Sequence, residues 1–254
     1  MRKVRILNID FDCVTQQELL ERFSKGVLVT PNVDHLVKVQ TDREYYEIAK
    51  RAEWCVCDSR VLYLCSKLLR TPLPEAVSGS SFFTAFYEYH KADENCRIFI
   101  LGALDDRARE AMERINHRVG RGIVVGAYSP SWGFEKKDVE NDQICEMINA
   151  SGANAVLVGV GCPKQEKWID KHKSRMPGVD IWMALGTTVD FEAGRLKRAP
   201  KIWRKMCLEW LYRFIQTPRH LFKRYFVDDP KFFLLLFKQL TGRYSDPFEE
   251  QVIP

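Results

Sequence analysis

The sequence predicts an α/β fold: a Rossmann-like, mostly parallel sheet with helices on both faces, plus a C-terminal helical appendage. Three observations carry this. Short, continuous apolar runs recur, as in GVLVT (26–30), CRIFILGA (96–103) and ANAVLVGVG (153–161). Strands buried on both faces read this way, because neither face meets water. Helical stretches of about 10–15 residues separate the runs, which suits βαβ crossovers. After residue 195 the strands stop, and the remainder of the chain is helical, basic and aromatic, punctuated by Pro200, Pro218 and Pro230.

The elements run in order along the chain. VRILNI (4–9) reads as a first strand. Thr15-Gln16-Gln17-Glu18 is a capping box that opens a helix to about residue 24. Strand 26–30 leads into helices 33–40 and 42–51. WCVCD (54–58) is a strand ending on an acid, and helix 60–69 and a Pro-containing loop come after it. Helix 81–91, strand 96–103, helix 105–119, strand 122–128, helix 137–150, strand 153–161, helix 164–175 and strand 179–186 complete the series. Residues 1–195 are thus expected to form an α/β domain, and 196–254 a basic, aromatic helical appendage.

Composition narrows the class. The 46 % apolar and 29 % charged content is that of a globular protein. No secretory signal is evident in MRKVRILNIDFDC, and FFLLLF (232–237) is far shorter than the ~20 residues of a spanning helix. The eight cysteines form no CxxC pair, so free thiols are expected and a zinc site is not. The net charge of +5 is unevenly spread. Residues 195–244 hold 13 Lys and Arg against three acids, a net of +10, leaving −5 for the rest. A basic patch with aromatics suggests a polyanionic partner such as phosphate or an anionic membrane surface. Nucleic acid is disfavoured, because the aromatics fall at helical spacing and not on alternate strand positions.

Ligands of such folds sit beyond the carboxyl ends of the strands. Asp58 ends a strand there and reads either as a general base or as the cap of the next helix. Thr30 and Asn32 flank Pro31 and suit sugar hydroxyls, although Asn32 also suits a helix cap. Gly102, Gly159, Gly161 and Gly186 lie in turns whose amides can approach a phosphate. GVGCPKQE (159–166) lacks the third glycine of a dinucleotide fingerprint, so a plain tight turn stays open. Asp10-Phe11-Asp12 spells a DxD metal–nucleotide signature but is read as a decoy, with no second ligand cluster in view. Arg213, Arg219, Lys223 and Arg224 crowd together with only Glu209 nearby. They read either as a solvated helix face or as a phosphate clamp.

Three segments together are specific: GVGCPKQEKW (159–168), LGTTVDFEAGRLKRAP (185–200) and LEWLYRFIQTPRHLFKRY (208–225). They resemble the WecG/TagA/CpsF family of bacterial glycosyltransferases, and the likeness covers nearly the whole chain. The resemblance implies an inverting, metal-independent enzyme with no cofactor. It would move a sugar, N-acetylmannosamine, its uronic acid or a hexose, from a UDP-sugar to a polyprenyl-diphosphate-linked acceptor in surface-polymer synthesis. It further implies a cytoplasmic protein, peripheral on the inner membrane face. Homo-oligomerisation stays open. Carried over, Asp58 is the base and Thr30, Asn32 and Gln165 are pocket residues. Arg213, Arg219 and Arg224 are the arginines that close over the diphosphate. The chain departs from the family at Ser59, Ala76 and Ser81, where Gly, Arg and Asp are usual. Arg60 is the candidate substitute for the missing Arg. These changes keep a second reading open: a nucleotide-sugar-binding protein with impaired catalysis.

Overall fold

The computed structural model describes residues 2–200, 202–203, 206 and 208–249. Lys201, Arg204 and Lys205, part of the basic run, lie outside the described residues.

Six parallel strands form the sheet in the order β4–β3–β8–β7–β5–β6. They are β3 (Gly26–Val29), β4 (Trp54–Cys55), β5 (Ile98–Gly102), β6 (Val124–Tyr128), β7 (Ala155–Gly159) and β8 (Ile181–Ala184). All five residues of β5 and of β7 are buried, which explains their unbroken apolar sequence. One face is covered by α2 (Val33–Lys38), α3 (Arg43–Arg51), α4 (Arg60–Leu68), α7 (Asp138–Ser151) and α8 (Lys164–His172). The other is covered by α1 (Gln16–Arg22), α5 (Gly79–Tyr89), α6 (Arg107–Val119) and α9 (Thr188–Glu192). The expected capping box is present: Glu18 N–H donates to Thr15 Oγ1 at 3.2 Å, and Thr15 N–H donates to Glu18 Oε2 at 2.7 Å.

The first predicted strand is instead an antiparallel hairpin, β1 (Lys3–Ile6) and β2 (Ile9–Asp12), reversing at Leu7-Asn8. Leu7 takes φ 55, a conformation that leucine rarely adopts. What holds it comes from the far end of the chain, since Leu7 N–H donates to Gln239 Oε1 at 2.9 Å. No local pattern signals a turn there. The DxD acids belong to this hairpin. Asp10 pairs with Arg5 at 2.9 Å, and buried Asp12 accepts the Cys55 N–H at 2.8 Å.

Beyond residue 208 come α10 (Glu209–Gln216), α11 (Pro218–Lys223), a π-helical turn (Arg224–Asp228) and α12 (Pro230–Leu240). Pro218 and Pro230 open their helices, where no amide hydrogen is needed. The two halves of this region differ. In α12, Phe232 is 0 % and Leu236 5 % exposed, and both belong to the core cluster of the first face. Polar contacts reinforce the docking. Tyr46 donates to Asp246 Oδ2 at 2.8 Å, and Tyr244 donates to Gln40 Oε1 at 2.7 Å. The preceding arm, α10 to the π-turn, has no fully buried residue in α10 or in the turn.

Replacing Phe232 with Ala is therefore expected to cost about 3–5 kcal/mol, the usual range for emptying a buried Phe site. Chemical denaturation would measure the loss, and limited proteolysis would show cleavage first between residues 208 and 249. A variant as stable and as resistant as the parent would refute this account of the docking.

Candidate active site

Neighbouring strands along the middle of the sheet send their following helices to alternate faces. After β3 the chain enters α2 on one face, and after β8 it enters α9 on the other; β7 and β5 diverge likewise into α8 and α6. Such divergence opens a crevice at the strand ends. One cleft of about 690 Å³ runs along these strand ends, with Asp58 after β4 at one end and Ala103 and Leu104 after β5 towards the other. The arm crosses over it, contributing Glu209, Trp210, Arg213, Arg224 and Tyr225 to the lining.

The glycines work at the seam. Gly102 has φ +151, and a Cβ there would lie 2.5 Å from the Gly159 carbonyl oxygen. A Cβ on Gly159 would lie 2.8 Å from the Gly186 oxygen, so three strand ends meet backbone to backbone. Gly159, Gly161 and Gly186 line the cleft, whereas Gly102 stands behind it. The loop after β5 carries Ala103, Asp105 and Asp106 at φ 55–60, a run of left-handed non-glycine residues beside the cleft.

Asp58 is not the cap of α4. Ser59 takes that role, its Oγ accepting the Leu62 N–H at 3.4 Å. The Gly79 amide and the Ser78 hydroxyl lie beside the Asp58 carboxylate and favour its charged form. Helix α5 begins at Gly79, two residues earlier than the sequence suggests, and this is what aims that amide at Asp58. Burial pushes the Asp58 pKa up to about 7. The Gly79 amide opposes this, Glu209 adds to it, and Arg213 opposes it.

Thr30 is 4 % exposed and lines the same end. Asn32 does cap α2, its Oδ1 accepting from Asp34 N–H at 3.1 Å and His35 N–H at 3.4 Å. The same oxygen accepts from Arg224 Nη2 at 3.2 Å, so the group Asn32 can offer a ligand is its amide NH2. Gln165 is 1 % exposed, and its Oε1 accepts the Gly161 N–H at 3.1 Å, holding the glycine turn in shape. Arg60 sits exposed on the first turn of α4 and lines the cleft.

The three arginines of the arm differ. Arg213 donates to Thr187 Oγ1 at 3.1 Å and stacks 6.0 Å from the Phe191 ring, facing the cleft. Arg224 lies 3.7 Å from Asp34 and 3.8 Å from Asp229, and so anchors the arm to α2. Burial works against the Asp34 carboxylate, but Arg224 and Lys38 outweigh it and hold its pKa below the usual value. Arg219 is exposed on α11 and does not line the cleft. Thus ten of the twelve predicted positions line one cleft, and Gly102 and Arg219 lie off it.

Sequence reasoning missed the placement of Glu209, taken there only as a neighbour for the arginines. Its spacing of four from Arg213 puts both on one helix face, and that face turns into the cleft. The departures at 76 and 81 also find a place. Ser81 Oγ accepts from Arg198 Nη1 at 3.3 Å, and Arg198 also donates to the Ser80 carbonyl and to Thr84 Oγ1. Position 81 therefore meets Arg198, and neither Ser81 nor Ala76 lines the cleft.

The family model described as "Glycosyl transferase WecG/TagA/CpsF family" matches residues 4–246. The chain belongs to this family, and it is a glycosyltransferase. Among its relatives are the N-acetylglucosaminyldiphosphoundecaprenol N-acetyl-beta-D-mannosaminyltransferases of Staphylococcus aureus strains NCTC 8325 and MRSA252. Each is 26 % identical over 220 residues, which is 83 % of this chain and 84 % of the relative.

The raised pKa of Asp58 carries a stability prediction. Below the ordinary carboxylate value of 3.8 the proton is bound in both folded and unfolded chains, so there is no penalty. Between there and about 7 the unfolded chain ionises first, and stability falls as pH rises. Asp58→Asn escapes this penalty. It should melt at a higher temperature than the parent at pH 8, with the gain fading towards pH 4. A difference independent of pH would contradict the assignment.

Proposed function

We propose that the protein transfers a sugar from a UDP-sugar to a polyprenyl-diphosphate-linked saccharide, with inversion and without a metal at the diphosphate. The observation that carries this reading is the convergence of Asp58 with Arg213, delivered by an arm whose outer face is apolar. In the proposed step the acceptor hydroxyl oxygen attacks the anomeric carbon of the donor. The bond from that carbon to the diphosphate oxygen breaks as the new one forms, and UDP leaves with the electron pair. Asp58 takes the hydroxyl proton. With a pKa near 7 it is a stronger base than an ordinary carboxylate, yet half ionised at neutral pH.

The departing diphosphate gathers charge, and fixed donors that meet it lower the barrier. The amides of the turn Gly159–Gly161, together with Arg60 and Arg213, are the proposed donors. Arg224 already faces Asp34 and Asp229, so its proposed part is to hold the arm beside the nucleotide. Thr30, Asn32 and Gln165 border the sugar. The Staphylococcus relatives, by their names, move N-acetylmannosamine to an N-acetylglucosamine diphospholipid, and this is the first donor–acceptor pair to try.

No described helix is long and apolar enough to cross a membrane. The arm and α12 nonetheless leave Phe222, Phe226, Phe233, Leu234 and Phe237 at least half exposed. Arg219, Lys223, Lys231, Lys238 and Arg243 are exposed among them. Apolar side chains ringed by cations suit the boundary of an anionic bilayer, which is where a polyprenyl acceptor resides. Arg219, off the cleft, is assigned to that contact.

Liposomes carrying prenyl-diphosphate-linked N-acetylglucosamine, offered a panel of UDP-sugars with Mg²⁺ and Mn²⁺ withheld, should yield a lipid one sugar heavier. Asp58→Asn is expected to lower the rate about 10²–10⁴-fold and Arg213→Ala about 10²-fold, with UDP still bound by the Asp58 variant. UDP binding without turnover by any donor would favour the impaired-binder reading.

The rate should rise with pH through about 7 and then level. Glu209→Gln should move that midpoint to lower pH, because a neighbouring negative charge no longer opposes ionisation. A profile flat from pH 5 to 9 would remove Asp58 as the base. Phe233→Ser with Phe237→Ser should release the protein from anionic vesicles while leaving its fold intact, as read by co-sedimentation and circular dichroism.

A further inference from the structure

Beside the cleft, three side chains that the proposed reaction does not use come together. His35 belongs to α2, Cys162 to the turn after β7, and Glu166 to the first turn of α8. One potential ligand atom from each lies within 4.8 Å of the other two. Glu166 is 1 % exposed. The Gln165 amide donates to its Oε1 at 3.0 Å, while its Oε2 is buried with no partner among the described residues. His35 Nδ1 is buried and unpartnered in the same way. A buried imidazole nitrogen and a buried carboxylate oxygen without partners, in residues gathered beside a thiol, are unfavourable unless something occupies the space between them.

We propose that His35, Cys162 and Glu166 bind a zinc-class divalent cation that ties α2 to the N-terminal end of α8. The donor set selects the ion. Magnesium and calcium prefer oxygen alone, whereas a thiolate, an imidazole and a carboxylate together suit zinc. Charge also balances. Binding releases the thiol and carboxyl protons, and the resulting two negative charges match the cation, so the buried cluster stays neutral. Outer contacts are in place as well. Gln165 fixes one carboxylate oxygen and leaves the other free, and the Tyr45 hydroxyl contacts the Cys162 sulfur.

The cations nearby do not compete for the cluster. Lys38 Nζ is taken by Asp34 Oδ2 at 2.8 Å and the Cys162 carbonyl at 3.2 Å, and Arg224 by Asp34 and Asp229. Three protein ligands leave a fourth position for water or a group in the cleft, which His35 and Cys162 both line. The bound ion would fix the spacing between Asn32, three residues before His35, and Gln165, next to Glu166. It would act as a clamp on the sugar end of the pocket and not as a neutraliser of diphosphate. Ligands drawn from 35, 162 and 166 share no short motif, so the cysteine spacings gave no sign of them.

The test uses the full chain, stripped with a chelator and dialysed. Zinc is titrated against a chromophoric chelator, and cobalt(II) is substituted for spectroscopy. The expected result is one equivalent bound, with a thiolate-to-cobalt charge-transfer band and tetrahedral d–d bands. Cys162→Ser should abolish the thiolate band and weaken zinc by at least about 10-fold, with an unchanged circular dichroism spectrum. Glu166→Gln should weaken zinc comparably and keep the band. The proposal is overturned by the absence of stoichiometric binding, which would leave the space to water. Binding that both variants retain at parental affinity would also overturn it, by placing the ion elsewhere.

Discussion

The position of the arm depends on one docking, that of Phe232 and Leu236 in the core beside α2. This is ordinary apolar burial, but it lies immediately after the segment that crosses the cleft. With α12 fixed, Asp229 and Arg224 are held within reach of Asp34, and α10 is brought back over the strand ends. The same docking supplies Gln239 to Leu7, so the hairpin at the start of the chain and the helix near its end stabilise each other. Local propensity favours neither partner strongly: a leucine at positive φ is unfavourable, and α12 leaves much of its apolar surface exposed. Their combination is what holds.

That anchorage also sets the electrostatics of the site. Asp58 comes from the segment between β4 and α4, while the charges that tune it, Glu209 and Arg213, come from the arm. They act in opposite directions on the same carboxylate. An arm displaced from the cleft would thus remove both the proposed diphosphate donor and part of what tunes the proposed base. On the proposed reading, catalytic competence and arm position are one variable. The rings of Trp210, Phe214, Tyr225 and Phe226 lie 5.2–6.5 Å apart and pack the arm's helices against one another.

Much of this was legible in the sequence, for physical reasons that differ by element. The parallel strands showed because burial on both faces leaves no room for polar residues, and β5 and β7 are apolar throughout. The capping box showed because its two hydrogen bonds demand particular residues three apart. The hairpin did not show, since its turn is stabilised by Gln239, 232 residues away. Asp58 was visible as an acid at a strand end, but its freedom from capping was not, because Ser59 beside it takes the cap at no cost visible in the pattern. Arg219 and Arg224 read alike in sequence. Only packing separates the exposed one from the one seated between two acids.

The division between α12 and the arm bears on why the arm exists in this form. Helix α10 buries no residue fully, so the protein core contributes little to holding it. Segments of this kind sit at the low end of the local stability range. Their position responds to whatever covers their outer surface, because a ligand that binds one state favours it by mass action. On the proposed reading the bilayer is that ligand. Apolar exposure on Phe222 and Phe226 is a liability in water and a gain at the lipid boundary, while the inward face of the same segment carries Glu209 and Arg213. The membrane that presents the acceptor would then also stabilise the closed site, and donor turnover would be confined to the place where an acceptor waits.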